Sequence, residues 1–139
     1  MTNPDSSIAR RRLLVIEDNQ SVRRMLRLAL SGAGFDVVDV PTGQEALQIL
    51  EHQPPDLVVL DLSAADASGR QVLEWLRHRD RFGASSLPWV VISAMDHQET
   101  VERYGPMDGH FIPKPFDPWE LVRTLEGMSD THRGRRCEP

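Results

Sequence analysis

A chain of 139 residues has room for one domain with a core of its own and little more. Hydrophobic residues at 40% and charged residues at 27% are ordinary for a globular protein and exclude a disordered or fibrous class. A net charge of -5 argues against a nucleic-acid partner, and the single cysteine, Cys137, excludes an internal disulfide and any cysteine-based metal cluster.

Residues 1–12 read as an N-terminal extension ending in the basic cluster Arg10 to Arg12. Only Leu13–Ile16 follow it, too short an apolar run for a signal-peptide core, and no run approaches the roughly 18 residues needed to cross a bilayer. A cytoplasmic protein with no membrane partner is expected. Leu13, Leu14, Val15 and Ile16 then predict a strand buried on both faces, ending abruptly in Glu17 and Asp18. From Ser21 to Ser31 the period changes to that of a helix, with Val22, Met25, Leu26, Ala29 and Leu30 on one face and Arg23, Arg24 and Arg27 on the other. Gly32 and Gly34 stop it. Phe35–Val40 is a second strand, and Thr42 with Glu45 forms a capping box ahead of the stripe Ala46, Leu47, Ile49, Leu50.

Pro54-Pro55 breaks the second helix, and Leu57–Leu60 is a third strand ending in Asp61. A helix from about Gly69 to His78 buries Val72, Leu73 and Leu76. Trp89–Ile92 is a fourth strand ending in Ser93, and a short polar helix spans about Gln98–Tyr104. His110–Ile112 is a fifth strand ending near Lys114. Asp117, Pro118 and Glu120 open the last helix, whose core stripe is Leu121, Val122, Leu125 and Met128, and residues 129–139 read as a polar C-terminal tail. Strands alternating with helices five times over predict an α/β fold: a doubly wound, five-stranded parallel sheet with helices on both faces and right-handed crossovers. Residues 13–128 form that one domain.

In such a sheet ligands bind at the carboxyl ends of the strands, near the topological switch point. Glu17 and Asp18 follow strand one, Asp61 ends strand three, Ser93 follows strand four and Lys114 follows strand five. Any one of them could be turn chemistry, but the joint placement predicts a single rim. Three carboxylates at about 5 Å and an effective dielectric of about 20 repel by roughly 3 kcal/mol per pair, so either a pKa rises or a divalent cation binds. Hard oxygen ligands suit Mg2+. Lys114 is the only lysine among sixteen basic residues, a position where a compact ammonium is kept in a chain that otherwise uses arginine. An ammonium and a hydroxyl beside the carboxylates complete a site for a phosphoryl group.

Together these residues resemble the response-regulator receiver family (CheY-like) of two-component signalling systems. The resemblance covers about Leu13 to Met128 and implies the flavodoxin-like strand order. Glu17-Asp18 resembles the family's acidic pair, Asp61 its phospho-acceptor, Ser93 its switch hydroxyl and Lys114-Pro115-Phe116 its terminal motif, in which the Lys-Pro bond is often cis. The resemblance implies that Asp18, Asp61 and the Ser63 backbone carbonyl ligate Mg2+, with Glu17 acting through water. It implies that Asp61 takes a phosphoryl group from a sensor histidine kinase or phosphotransfer protein, that Lys114 pairs first with the carboxylate and later with the phosphate, and that Ser93 and Phe111 move inward as a switch. The sequence departs from the family at Ala64-Ala65 and Ala67-Ser68-Gly69, where Met-Pro and Met-Asp-Gly are usual, and at Phe111, where Tyr is usual. Gly105–Gly109 is offset from the family's approach to strand five, and Pro106 ends the preceding helix early.

The expected function is a single-domain response regulator that switches the binding of a downstream protein, as a monomer or weak homodimer, and is not an enzyme beyond its own phosphorylation and dephosphorylation. Alternatives are a degenerate receiver that docks proteins without phosphorylation, an aspartyl phosphatase and a flavin-binding domain. The phosphatase needs a second Asp where Ser63 stands, and the flavin domain needs a phosphate loop where Glu17 and Asp18 stand.

Overall fold

The computed structural model describes residues 10–62, 67–81, 87–107 and 110–137. Strands and helices alternate throughout as β1 (Arg12–Ile16), α1 (Gln20–Gly32), β2 (Asp36–Val40), α2 (Gly43–His52), β3 (Leu57–Asp61), α3 (Ala67–Arg81), β4 (Trp89–Ser93), α4 (His97–Tyr104), β5 (His110–Pro113) and α5 (Pro118–Cys137). The strands pair in parallel in the order β2-β1-β3-β4-β5, the flavodoxin-like order expected.

Apolar runs build this sheet because a parallel strand must be buried on both faces. Alternate residues of each strand belong to opposite cores. Leu13, Val15, Leu57, Val59, Val90 and Ile92 pack with Leu26 and Leu30 of α1 and with Leu121 and Leu125 of α5. Leu14, Ile16, Val58, Leu60 and Val91 pack with Leu50 of α2 and with Val72, Leu73 and Leu76 of α3. Each fully buried Leu or Val contributes about 1.5–3 kcal/mol of transfer free energy, so these two layers fix the strand register. A one-residue slip would exchange the two sets of side chains.

Helix starts follow side-chain caps. Asn19 accepts the Val22 N–H at 3.0 Å, Thr42 accepts the Glu45 N–H at 3.2 Å, and Asp96 accepts the Glu99 N–H at 2.8 Å. The Trp119 N–H donates to the Asp117 carboxylate at 3.0 Å. Several boundaries differ from the sequence reading, and three bear on the site or the chain end. α3 begins at Ala67 rather than Gly69, and α4 begins at His97 because Asp96 is its cap. α5 runs on to Cys137, so the stretch expected to be a tail from residue 129 is helical almost to its end; no proline interrupts it before Pro139. Among the described residues no helix is long and apolar enough to cross a membrane.

Candidate functional site

The chain leaves β1 for β2 in one direction and returns past it to β3, so the topological switch point lies between β1 and β3. The residues at that point are Glu17 and Asp18, just after β1, and Asp61, the last residue of β3. One carboxylate oxygen from each lies within 4.8 Å of the others. Asp18 is exposed, whereas Glu17 and Asp61 are buried, at 1% and 6% exposure. Asp18 and Asp61 open into a cleft whose other walls include Ile16, Pro41, Gly43, Leu62, Gly69 and Tyr104.

Lys114, just past β5, reaches back across β4 to this pair. Its Nζ donates to Asp61 Oδ2 at 2.8 Å and lies 3.6 Å from Glu17 Oε1. Its backbone is set by the Lys114 N–H, which donates to the Ser93 carbonyl at 2.8 Å, and by the cis Lys114-Pro115 bond. Glu17 is oriented from the other side: the Asn19 N–H donates to its Oε2 at 3.2 Å, while Arg23 Nη1 donates to its backbone carbonyl at 3.0 Å.

Charge at this point is out of balance. Glu17 and Asp61 share one ammonium, and Glu17 Oε1 is buried with no hydrogen-bond donor. Burial pushes the Glu17 carboxyl up to about 8, and the hydrogen bond and charge of Asp61 push the same way, against the Asn19 N–H and the Lys114 charge. Below that pKa Glu17 keeps its proton and can donate it to Asp61. Burial alone would lower the Lys114 pKa, but the hydrogen bond and charge of Asp61, then those of Glu17, more than offset this and hold the ammonium above its usual range. Three hard oxygen donors in close array, with a Glu17 oxygen buried beside them without a hydrogen-bond donor, fit a small divalent cation, whose charge would displace the Glu17 proton.

Ser93, at the tip of β4, is fully buried. Its Oγ accepts the Met95 N–H at 3.0 Å and lies 3.5 Å from Thr100 Oγ1 of α4. Phe111 is partly buried against the second core and meets His97 edge to face, with centroids 5.1 Å apart. Ser63, expected to offer a backbone carbonyl, and Ala64-Ala65 lie outside the described residues, as do Asp108 and Gly109.

The sequence reading missed how α4 is held. Gly105, at φ +91°, ends the helix ahead of Pro106 and leaves carbonyls without helical partners. Arginines of α3 take them up. Arg77 donates to the Tyr104 and Pro106 carbonyls at 2.6 and 2.5 Å, and Arg70 donates to the Arg103 carbonyl at 3.1 Å while lying 4.8 Å above the Tyr104 ring. Tyr104, one wall of the acidic cleft, and Thr100, fully buried, were also passed over. Their spacing of four residues in an otherwise polar segment was the signal.

The model of the response regulator receiver domain family matches residues 13–126. The chain is 35% identical over 118 residues to the "Probable transcriptional regulator ycf27" of Porphyridium aerugineum, covering 84% of this chain and 47% of that protein. It is also 35% identical over 114 residues to the "Transcriptional regulatory protein KdpE" of Mycobacterium tuberculosis, covering 81% of this chain and 48% of that one. The chain thus spans about half the length of the curated relatives it matches. In fold it is similar to the signal receiver domain of a LuxO repressor protein from Vibrio parahaemolyticus, with a TM-score of 0.78 at 23% identity over 92% of this chain and 96% of that one. The chain belongs to the response regulator receiver domain family of two-component signalling systems.

Proposed function

We propose that this domain accepts a phosphoryl group on Asp61 from a sensor histidine kinase or phosphotransfer protein, with Mg2+ held by Glu17, Asp18 and Asp61, and uses the modification to switch the binding of a downstream protein. The observation that carries the reading is the Lys114 ammonium 2.8 Å from Asp61 at the switch point of the sheet, beside two further carboxylates. In the transfer, an Asp61 carboxylate oxygen forms a bond to phosphorus as the bond from phosphorus to the donor imidazole breaks, and the imidazole nitrogen keeps the electron pair. Mg2+, when bound, neutralises negative charge on the phosphoryl oxygens and on the carboxylates. Lys114 supplies a second positive charge and, once Asp61 is an acyl phosphate, turns from its carboxylate to a phosphoryl oxygen. Ser93 supplies a hydroxyl donor to the same group.

The domain is then a switch rather than an enzyme with a separate substrate. An aspartyl phosphate carries a charge of about -1.5 to -2 where a single carboxylate charge, paired with Lys114, stood before. A net charge of -5 favours protein over nucleic acid as the partner of this segment; the transcriptional roles in the relatives' names are said of proteins about twice its length.

Incubation with acetyl phosphate and Mg2+, followed by intact-mass measurement, tests the reading. One added phosphoryl mass is expected in the wild-type chain, and none after Asp61→Asn or chelation of the metal. An unchanged wild-type mass under excess donor would point instead to a docking module that works without phosphorylation.

A further inference from the structure

The hydroxyl protons around Ser93 can be counted. Thr100 has one, and it is committed: Oγ1 donates at 2.8 Å to the Asp96 carbonyl, which can only accept. Ser93 Oγ already accepts the Met95 N–H at 3.0 Å, so its own proton is left to find an acceptor, and Thr100 Oγ1 stands 3.5 Å away. Both residues are at 0% exposure, so bulk water does not compete for that proton. The distance is long for a pair of hydroxyls, which makes this a bond that can be exchanged at small cost.

Nothing in the fold requires the Thr100 hydroxyl. Back-bonding to the carbonyl four residues earlier is common for helical threonine, but the Asp96 carbonyl also receives the Thr100 backbone N–H at 3.0 Å. A valine in this place would have the same shape and leave that carbonyl satisfied. What the hydroxyl adds is an acceptor, aimed at Ser93 from the first turns of α4.

We propose that Thr100 is a positioning residue that holds the Ser93 proton on the α4 side of β4, in competition with a phosphoryl oxygen on Asp61. The proposal rests on the reading of Asp61 and Ser93 given above and deepens it. When Ser93 donates to the phosphoryl group, Thr100 loses its donor, and α4 loses a tie to the tip of β4. The affinity of the site for a phosphoryl group is thereby set partly by α4, and α4 registers whether the site is filled.

The test is calorimetric titration with beryllium fluoride, a phosphoryl mimic, in the presence of Mg2+. Thr100→Val is expected to bind about three- to tenfold more tightly than wild type, the worth of one modest hydrogen bond released from the unbound state. Thr100→Ser, which restores the acceptor, is expected to return the affinity to the wild-type level. In a Ser93→Ala background, Thr100→Val is expected to change nothing, because its effect passes through the Ser93 proton. Thr100→Ala carries the same expectation and serves if the valine variant melts early. Equal affinities for wild type and Thr100→Val, or the same gain with Ser93→Ala present, would overturn the proposal while leaving the phosphorylation reading intact. A wild-type chain that neither binds beryllium fluoride nor gains a phosphoryl mass would overturn both.

Discussion

At the β1–β3 side of the rim, Glu17 and Asp61 are buried acids that share one ammonium, and a Glu17 oxygen has no donor. At the β4–α4 side, Ser93 and Thr100 are just as buried, but they are neutral hydroxyls matched to each other and to nearby backbone groups. The first region is electrostatically frustrated, so it gains by taking up positive charge. The second is already satisfied, so it responds only by exchanging one hydrogen bond for another. A switch needs both: a half with a strong drive to bind and a half whose alternatives lie close in free energy.

Replacing the shared cation should have the largest effect on this contrast. Lys114→Met leaves Asp61 and Glu17 buried without their positive partner, and in metal-free buffer near pH 8 it should destabilise the domain by about 3 kcal/mol, read from urea denaturation. An unchanged urea midpoint would mean that the acidic half is not held together by Lys114. Proton linkage sharpens the same comparison. The Glu17 pKa is raised from 4.5 to about 8 on folding, so between these values the folded domain holds a proton that the unfolded chain has released. Metal-free stability should therefore fall as pH rises through that window, by about 2 kcal/mol between pH 6 and 7.5, and Glu17→Gln should remove this part of the slope. Mg2+ competes with the same proton, so its affinity should rise with pH over the same range, approaching tenfold per unit; a pH-independent Mg2+ affinity would contradict the account of Glu17. The smallest effect belongs to the neutral side. Arg77→Met removes two donors from carbonyls at and just beyond the end of α4, which water can partly replace, so about 1 kcal/mol of stability should be lost. Hydrogen exchange in α4 should quicken, with phosphorylation of Asp61 unaffected.

The acidic half was legible in the sequence because strand tips announce themselves: an apolar run stops at a charged residue, and parallel topology brings successive tips together. Glu17, Asp61 and Lys114 stand where that logic puts them. The same logic placed Ser93 on the rim but not the direction of its hydroxyl, which depends on the Met95 N–H and on Thr100, seven residues downstream in α4. The clasp of α4 by Arg70 and Arg77 was not legible, since arginines on a helix face read as solvated charge until the carbonyls freed by Gly105 and Pro106 are seen across from them. The length of α5 was misjudged because a polar stretch without a proline carries no periodic signal by which to tell a solvated helix from a tail.

The central claim is that the buried carboxylate paired with Lys114 is the one that takes the phosphoryl group. Borohydride reduction after treatment with acetyl phosphate and Mg2+ converts an aspartyl phosphate to homoserine, and peptide mass spectrometry then locates it. Homoserine at position 61 is the predicted result. Homoserine at position 18 instead, with Asp61 recovered unchanged, would contradict the assignment.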